Sequence, residues 1–143
     1  MPTITVPANL DSLETARDYL SKAISPEFRA QTDNVLLTAE ELLVNVFSYA
    51  YPVGEDGPAK VGLEYRGEGE ARKLVFCVTD WGKPFNPFEE APVPDVTLDL
   101  ESRPVGGLGI FLIKQVSEEQ HYEYRDGANC IRIVFGLTPK TAP

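Results

Sequence analysis

The chain has 143 residues, a length suited to one compact domain. Its 22 acidic residues outnumber its 13 basic ones, for a formal net charge of −9, and no basic stripe is present, so we expect no nucleic-acid partner. The opening MPTITVPANLDS lacks a basic stretch followed by an apolar run, and no segment approaches the roughly 20 apolar residues that span a bilayer, so we expect a single cytoplasmic domain over residues 1–143 without membrane attachment.

The first third of the chain predicts one strand and two helices. TITV alternates as a short edge strand does, and NLDSLETARDYLSKAI has apolar residues at helical spacing, with Asn9 or Asp11 able to cap its start. SPEF ends this helix. A second helix is predicted from about Thr32 to just before Pro52, because the residue ahead of a proline disfavours helical geometry.

The remainder predicts two hairpins separated by a long loop and a helix. AKVGLEY and ARKLVFCVTD are strand-like runs joined by the turn-rich RGEGE. Residues 82–104 hold five prolines and five acidic residues with few apolar anchors, and a loop of that length is more often a binding loop or lid than a passive connection. GGLGIFLIKQVSEE predicts a third helix, and QHYEYRD with CIRIVFGL predicts the second hairpin.

This order of elements predicts an α+β fold, a two-layer sandwich of one mostly antiparallel sheet with helices on one face. Cys77 and Cys130 lie in strand-like runs, where we expect buried, reduced thiols rather than a disulfide. The single histidine, His121, provides no zinc constellation.

The second helix has a polar face opposite its apolar one. Glu41 and Asn45 are neighbours at i and i+4, and asparagine is a poor residue for a helix interior. The two oxygens could hold a hard cation such as Mg²⁺, or the carboxylate could act as a base, while a merely solvated face is the simpler interpretation. The side chains expected to face the sheet are those of Leu36, Ala39, Leu43, Val46, Phe47 and Ala50.

Two further stretches suggest a nucleotide. In VTDWGKPFNP, Asp80 ends a strand and can accept a hydrogen bond from an exocyclic amine, while Gly82 lets a flat base approach the backbone. In PVGGLGIFLIK, Gly106, Gly107 and Gly109 precede or open a helix, where exposed amides form a phosphate cradle. The alternative for the first stretch is a simple turn at the end of a strand, and the alternative for the second is a flexible hinge. Walker and dinucleotide motifs fit badly, because the Gly-Lys pair is followed by proline and no strand directly precedes the glycines.

In this order, the three motifs resemble the ATP-binding domain of GHKL ATPases and kinases, most closely the bacterial anti-sigma factor serine kinases, over roughly residues 10–135. EELLVNVFSYAY is similar to the E-x-x-x-N helix motif, with Tyr49 in place of the usual histidine. DWGKPFNP is similar to the adenine motif, and GGLGIFLIKQV to the phosphate motif. The resemblance implies a Bergerat-type ATP-binding fold with an ATP lid near residues 86–105.

The resemblance also implies roles for individual residues. Asn45 would ligate the Mg²⁺ that bridges the ATP phosphates, and Glu41 would take the proton from a serine or threonine hydroxyl. Asp80 would recognise the adenine amino group, with Gly82 giving the ring access. The other residues expected to contact ATP are Tyr49, Phe85, Arg103, Gly106, Gly107, Leu108, Gly109 and Asn129.

The function implied is that of an ATP- and Mg²⁺-dependent serine/threonine-protein kinase. It would phosphorylate a STAS-domain anti-anti-sigma factor, bind a sigma factor or other regulatory protein in alternation, and form a homodimer. The alternative is a catalytically inactive module that binds nucleotide and exchanges partners. Tyr49 favours this alternative because it replaces the family histidine, whereas the retained Glu41 favours the kinase. A detached histidine kinase or chaperone ATPase is disfavoured, because neither a phosphoacceptor hairpin nor a transducer domain is present.

Overall fold

The structure, a computed structural model, describes residues 2–90 and 108–140. In this part of the chain, five strands form one sheet in the order β1-β2-β3-β5-β4, and every neighbouring pair is antiparallel. The two predicted hairpins, β2–β3 and β4–β5, are therefore confirmed. The strands are β1 (Thr3–Pro7), β2 (Pro58–Arg66), β3 (Lys73–Asp80), β4 (Glu119–Arg125) and β5 (Ala128–Phe135).

The predicted helices are present with small changes at their ends. The SPEF segment, predicted as a break, leads into a 3₁₀ helix, and a short helix forms at the start of the stretch predicted as a loop. No helix among the described residues is both long and apolar enough to cross a bilayer. The α-helices are α1 (Ser12–Ala23), α2 (Thr32–Tyr49), α3 (Pro87–Glu90) and α4 (Leu108–Val116), and the 3₁₀ helices are Pro26–Gln31 and Gly69–Ala71.

Alternation along the central strands separates a buried face of the sheet from an outer one. Val61, Phe76 and Ile133 are at most 2% exposed and join the helices in one hydrophobic core, so the predicted two-layer α+β sandwich is confirmed. Cys77 and Cys130 lie on the outer face instead. Both thiols are free, as predicted, but they are only partly buried, so the prediction of full burial was wrong.

The buried side of α2 is broader than its sequence pattern predicted. Ala39, Leu43, Val46 and Ala50 are buried as expected, but Leu36 and Phe47 are only partly buried. The reason is that α2 lies between α1 and α4 and contacts both, as well as β3. The additional buried positions are Val35, Thr38 and Leu42.

The C-terminal end of α2 lies against the end of β3. Lys83, just after β3, donates its backbone N–H to the carbonyl oxygen of Ala50, the residue that follows α2, at 3.2 Å. Cross-strand pairing sets Asp80 of β3 directly opposite Asn129 of β5. The fold therefore gathers α2, the β3 end and the β5 start at one edge of the molecule.

Candidate active site

The polar face of α2 carries Glu41, Asn45 and Tyr49 at successive turns of the helix. Asn45 and Tyr49 line a small cavity that is also lined by Asp80 and Phe85. The helix motif and the strand-end motif, separate in sequence, therefore meet at one place. Glu41 does not line this cavity and lies one turn earlier in α2.

Two aromatic rings form part of the cavity wall. The rings of Tyr49 and Phe85 stack with their centroids 5.3 Å apart and their planes 27° from parallel. The cavity has a volume of about 20 Å³, room for roughly one water molecule. A purine ring is much larger, so base binding at this point requires part of the wall to move. Tyr49, 49% exposed, is a part of the wall that faces solvent.

Asp80, the last residue of β3, is 5% exposed and held by two hydrogen bonds to one carboxylate oxygen. The backbone N–H of Gly82 and the Nδ2 of Asn129 each donate to Oδ1 at 2.9 Å. Within the described part of the chain, no group donates to Oδ2, which leaves that oxygen to accept a bond from a ligand. Burial raises the pKa of Asp80, and the bonds from Asn129 and Gly82 oppose the rise.

Asn129, at the start of β5, connects Asp80 with the loop that follows β3. Its Nδ2 donates to Asp80 and, at 2.9 Å, to the carbonyl oxygen of Lys83. Its Oδ1 accepts the backbone N–H of Phe85 at 3.1 Å and the hydroxyl of Tyr122. An asparagine side chain offers two donor hydrogens and two acceptor lone pairs, so these four bonds use its whole capacity. A direct contact between this amide and a nucleotide would have to break one of them.

Two tyrosines that sequence reasoning did not select hold the same region. Tyr122 of β4 bonds Asn129, and Tyr51, after α2, accepts the backbone N–H of Trp81 at 2.9 Å while donating to the carbonyl of Pro58. The signal that could have found Tyr122 is the alternation in QHYEYRD, which puts Tyr122 and Tyr124 on one face of a strand. That signal indicates the face of the strand on which Tyr122 lies. It does not identify the residue that its hydroxyl bonds, because this depends on the β4–β5 register.

Gly82 is required by a close approach of the protein to itself. A Cβ at this position would overlap the carbonyl of Ala50 and lie 2.7 Å from the Ala50 Cα. The sequence interpretation, access for a flat base, explained the glycine by a ligand. The structure supplies a reason that needs no ligand, the packing of this loop on the end of α2.

Glu41 lies against the first turn of α4. A Cβ at Gly109 would overlap the Glu41 carboxylate and lie 2.6 Å from its Cγ. The helix motif and the second glycine-rich motif therefore also meet, about one turn of α2 from the cavity. Burial raises the pKa of Glu41, and the negative charge of the adjacent Glu40 raises it further.

Part of the predicted site falls outside the described residues, namely Arg103, Gly106, Gly107 and most of the predicted lid. Leu108 is the first residue of α4, and its side chain is also outside the description. The described residues of the predicted lid include α3, where the Nζ of Lys114 donates to the carbonyl oxygen of Phe88 at 3.3 Å. The roles predicted for the outlying residues remain predictions.

The part of the chain that the structure describes, residues 2–90 and 108–140, contains no cluster of three or more His, Cys, Asp or Glu side chains for a Mg²⁺ ion. The amide oxygen of Asn45 is a hard donor of the kind Mg²⁺ accepts, and this ion usually completes its shell with waters and substrate phosphates. The donor set fits an ion that arrives with a nucleotide.

Comparison with known proteins agrees with this geometry. A family model of the histidine kinase-like ATPase domain matches residues 6–135, and the chain belongs to this family. Membership of an ATPase family implies that the domain binds ATP. At the level of individual proteins, the chain is similar to the serine/threonine-protein kinase BtrW of Bordetella bronchiseptica. The two are 28% identical over 105 residues, which cover 73% of this chain and 70% of BtrW.

Proposed function

We propose that this domain is a protein serine/threonine kinase that uses ATP and Mg²⁺. The observation that carries the proposal is the meeting of Asn45 and Asp80 at one cavity, with Glu41 beside Gly109 one helical turn away. The free Oδ2 of Asp80 accepts a hydrogen bond from the adenine amino group. The Asn45 amide oxygen ligates the ion that accompanies the phosphates, and the Gly109 end of α4 faces the triphosphate.

In the proposed reaction, the oxygen of a serine or threonine hydroxyl forms a bond to the γ-phosphorus. The bond from that phosphorus to the oxygen bridging it to the β-phosphate breaks, and ADP leaves with the electron pair. The hydroxyl proton passes to the carboxylate of Glu41. Because its pKa is raised, this carboxylate is a stronger proton acceptor than an ordinary glutamate once it is deprotonated.

Some steps of the proposal rest on residues outside the described part of the chain. Arg103 would neutralise charge near the γ-phosphate, where phosphoryl transfer depends mainly on positioning and electrostatics. Gly106, Gly107 and the Leu108 amide would complete the phosphate cradle at the start of α4.

The protein substrate we propose is a STAS-domain anti-anti-sigma factor in the cytoplasm. The domain would act as a homodimer and bind a sigma factor or other regulatory protein when that substrate is phosphorylated. The three ordered motifs support this partner-switching role, and the kinase activity named for BtrW supports the transfer step.

A second candidate is a nucleotide-dependent switch without catalysis. The observation that favours it is the stack of Tyr49 on Phe85, since a phenol ring stands where the resembling kinases have an imidazole. A switch of this kind would bind ATP and ADP and would exchange protein partners without transferring phosphate.

The test is transfer of labelled phosphate from ATP to the STAS protein in the presence of Mg²⁺. We expect Glu41→Gln to bind ATP normally and to transfer about 10²- to 10⁴-fold more slowly, the usual contribution of a general base. Asn45→Ala should lose the Mg²⁺-dependent part of ATP binding.

Two matched controls come from the same helix. Glu40 pairs with Arg17 at 3.5 Å, away from the cavity, and Asn34 bonds the Gln31 Oε1 at 3.0 Å near the start of α2. At a pH high enough to keep Glu41 deprotonated, Glu40→Gln and Asn34→Ala should transfer phosphate at the wild-type rate. Transfer by Glu41→Gln at the wild-type rate would refute the assigned base, and ATP binding by wild type without any transfer would support the switch.

A further inference from the structure

Tyr122 reaches the site from β4, the strand that pairs with β5. It lies on β4, the edge strand, and it is partly buried against the core. Its hydroxyl donates to the Oδ1 of Asn129. No residue of β4 belongs to the three sequence motifs, so this contact extends the site beyond them.

The direction of the Tyr122 bond follows from the backbone. Phe85 N–H can only donate and the Lys83 carbonyl can only accept, so the amide of Asn129 must turn its oxygen toward Phe85 and its nitrogen toward Lys83. Tyr122 meets the oxygen and is therefore the donor. The hydroxyl occupies the second lone pair of that oxygen and adds a fourth bond that restrains rotation of the amide plane.

We propose that Tyr122 is a positioning residue for base specificity, acting through Asn129 on Asp80. This inference rests on the proposed ATP site. With the Tyr122 hydroxyl in place, Asn129 keeps its bond to the Oδ1 of Asp80, and this bond leaves Oδ2 to accept the amino group of adenine.

The same contact holds the backbone on which the base would rest. Asn129 accepts the Phe85 N–H and donates to the Lys83 carbonyl, so the amide ties the loop after β3 to β5. Without the hydroxyl, the amide is held by one bond fewer, so its plane and its bond to Asp80 are less firmly fixed. A carboxylate that is less well fixed should lose preference for adenine before it loses affinity for purine nucleotides in general, because discrimination depends on the amino group that Asp80 contacts.

The discriminating probe is ITP, whose base has an oxygen where adenine has its amino group. We expect Tyr122→Phe to weaken ATP binding about 3- to 10-fold, the usual effect of one lost hydrogen bond, while ITP binding changes by less than about 2-fold. Isothermal titration of both nucleotides measures the ratio. A structural role alone would lower both affinities equally, and that result, or unchanged ATP affinity, would overturn the proposal.

Tyr124→Phe is the matched control. Tyr124 lies two residues along the same strand and pairs directly with Asn129 in register, but within the described part of the chain its hydroxyl makes no bond to that side chain. It should leave both affinities as in wild type. An equal drop in the ATP-to-ITP preference in Tyr124→Phe would also overturn the role of the Tyr122 hydroxyl.

A measurement without nucleotide separates this inference from the proposed function. The side-chain amide signals of Asn129 in a ¹H–¹⁵N spectrum should shift in Tyr122→Phe and not in Tyr124→Phe. Unchanged signals beside normal ATP binding by wild type would refute the positioning role alone. Failure of wild type to bind either nucleotide would refute the proposed function, and with it the role in specificity.

Discussion

The two ends of the candidate site differ in how far the protein has arranged them. At the end formed by Asp80, Gly82 and Asn129, the polar groups are tied by several hydrogen bonds to each other and to the backbone. At the end formed by Glu41 and Asn45, neither side chain bonds to any residue the structure describes. We call these the base end and the phosphate end.

The difference suggests how binding free energy is divided between the two ends. The polar groups of the base end are already held by hydrogen bonds, so recognition by them costs little ordering of their side chains, and a small error in their geometry should reduce selectivity. At the phosphate end, Glu41 and Asn45 would gain their polar partners from the ligand and its ion. Changes at the base end should therefore alter binding or folding, and changes at the phosphate end should alter transfer with little effect on folding.

The largest effect on ATP affinity is expected at the base end, from Asp80→Asn. Asparagine can accept both existing hydrogen bonds through its Oδ1, but it puts an NH₂ group where Oδ2 stood. The adenine amino group then faces a donor, and ATP affinity should fall by at least about 100-fold. Isothermal titration measures the loss.

The same variant should fold at least as well as wild type, and the sign follows from the pKa. Burial raises the pKa of Asp80 in the folded state, so the stability contributed by its protonated form is full below the unfolded-state pKa. That stability is lost as the pH rises through the folded-state pKa. Asparagine has no such loss, so at neutral pH Asp80→Asn should melt at or above the wild-type temperature. A melting temperature far below that of wild type would mean that the loss of ATP binding results from a loss of structure.

Two glycines provide a direct contrast between the ends. Gly82→Ala would drive a Cβ into the Ala50 carbonyl, where only backbone could yield, and we expect a loss of about 1–3 kcal/mol in the free energy of unfolding. The atoms nearest to a Cβ in Gly109→Ala belong to the Glu41 side chain, which can move, and alanine favours a helix by about 1 kcal/mol. Its folding should be preserved while transfer falls about 10- to 100-fold, because the base is displaced. Urea unfolding and transfer assays measure the two effects.

A double variant tests whether Gly109→Ala acts through the base. In Glu41→Gln the base is already absent, so adding Gly109→Ala should slow transfer no further, the signature of coupled residues. Independent, multiplying losses would show that the glycine acts on the phosphates in some other way. Equal destabilisation by both alanines would remove the contrast between the ends.

At the base end, the sequence predicted the residues better than the contacts that hold them in place. Strand alternation and the Asp-x-Gly pattern located Asp80 and Gly82, and the last hairpin pointed to Asn129. The bond between Asp80 and Asn129 joins residues 49 positions apart and depends on strand register, which single-sequence patterns do not fix. The close approach of the Ala50 backbone to Gly82 likewise appears only when the end of α2 is packed on the sheet.

At the phosphate end, the helical period was enough to group Glu41 with Asn45, because neighbours at i and i+4 share a face whatever the fold. The approach of Glu41 to Gly109 required the packing of α4 on α2. The predictions for Arg103, Gly106 and Gly107 concern residues that the structure does not describe, and they stay predictions.

The smallest effect is expected from Glu40→Gln, which tests the electrostatics of the phosphate end. Burial is the larger cause of the raised pKa of Glu41, and the charge of Glu40 is the second. Removing that charge lowers the pKa of Glu41. Since a base works only when deprotonated, the acidic limb of the pH profile of transfer should move to lower pH, with the plateau unchanged.

The control is Asp33→Asn, two turns earlier in α2, which should leave the acidic limb of the pH profile of transfer where it is in wild type. A lowered plateau in Glu40→Gln would mean that Glu40 itself takes part in transfer. An unmoved limb would mean that the titrating group is some residue other than Glu41.

The most direct measurement is a crystal structure of the protein with Mg²⁺ and a non-hydrolysable ATP analogue. We predict the adenine amino group within hydrogen-bond distance of the Asp80 Oδ2 and the ion on the Asn45 amide oxygen, with the Tyr49 and Phe85 rings moved apart where the base enters. A nucleotide bound at another surface, with Asp80 and Asn45 both remote from it, would contradict the site proposed here.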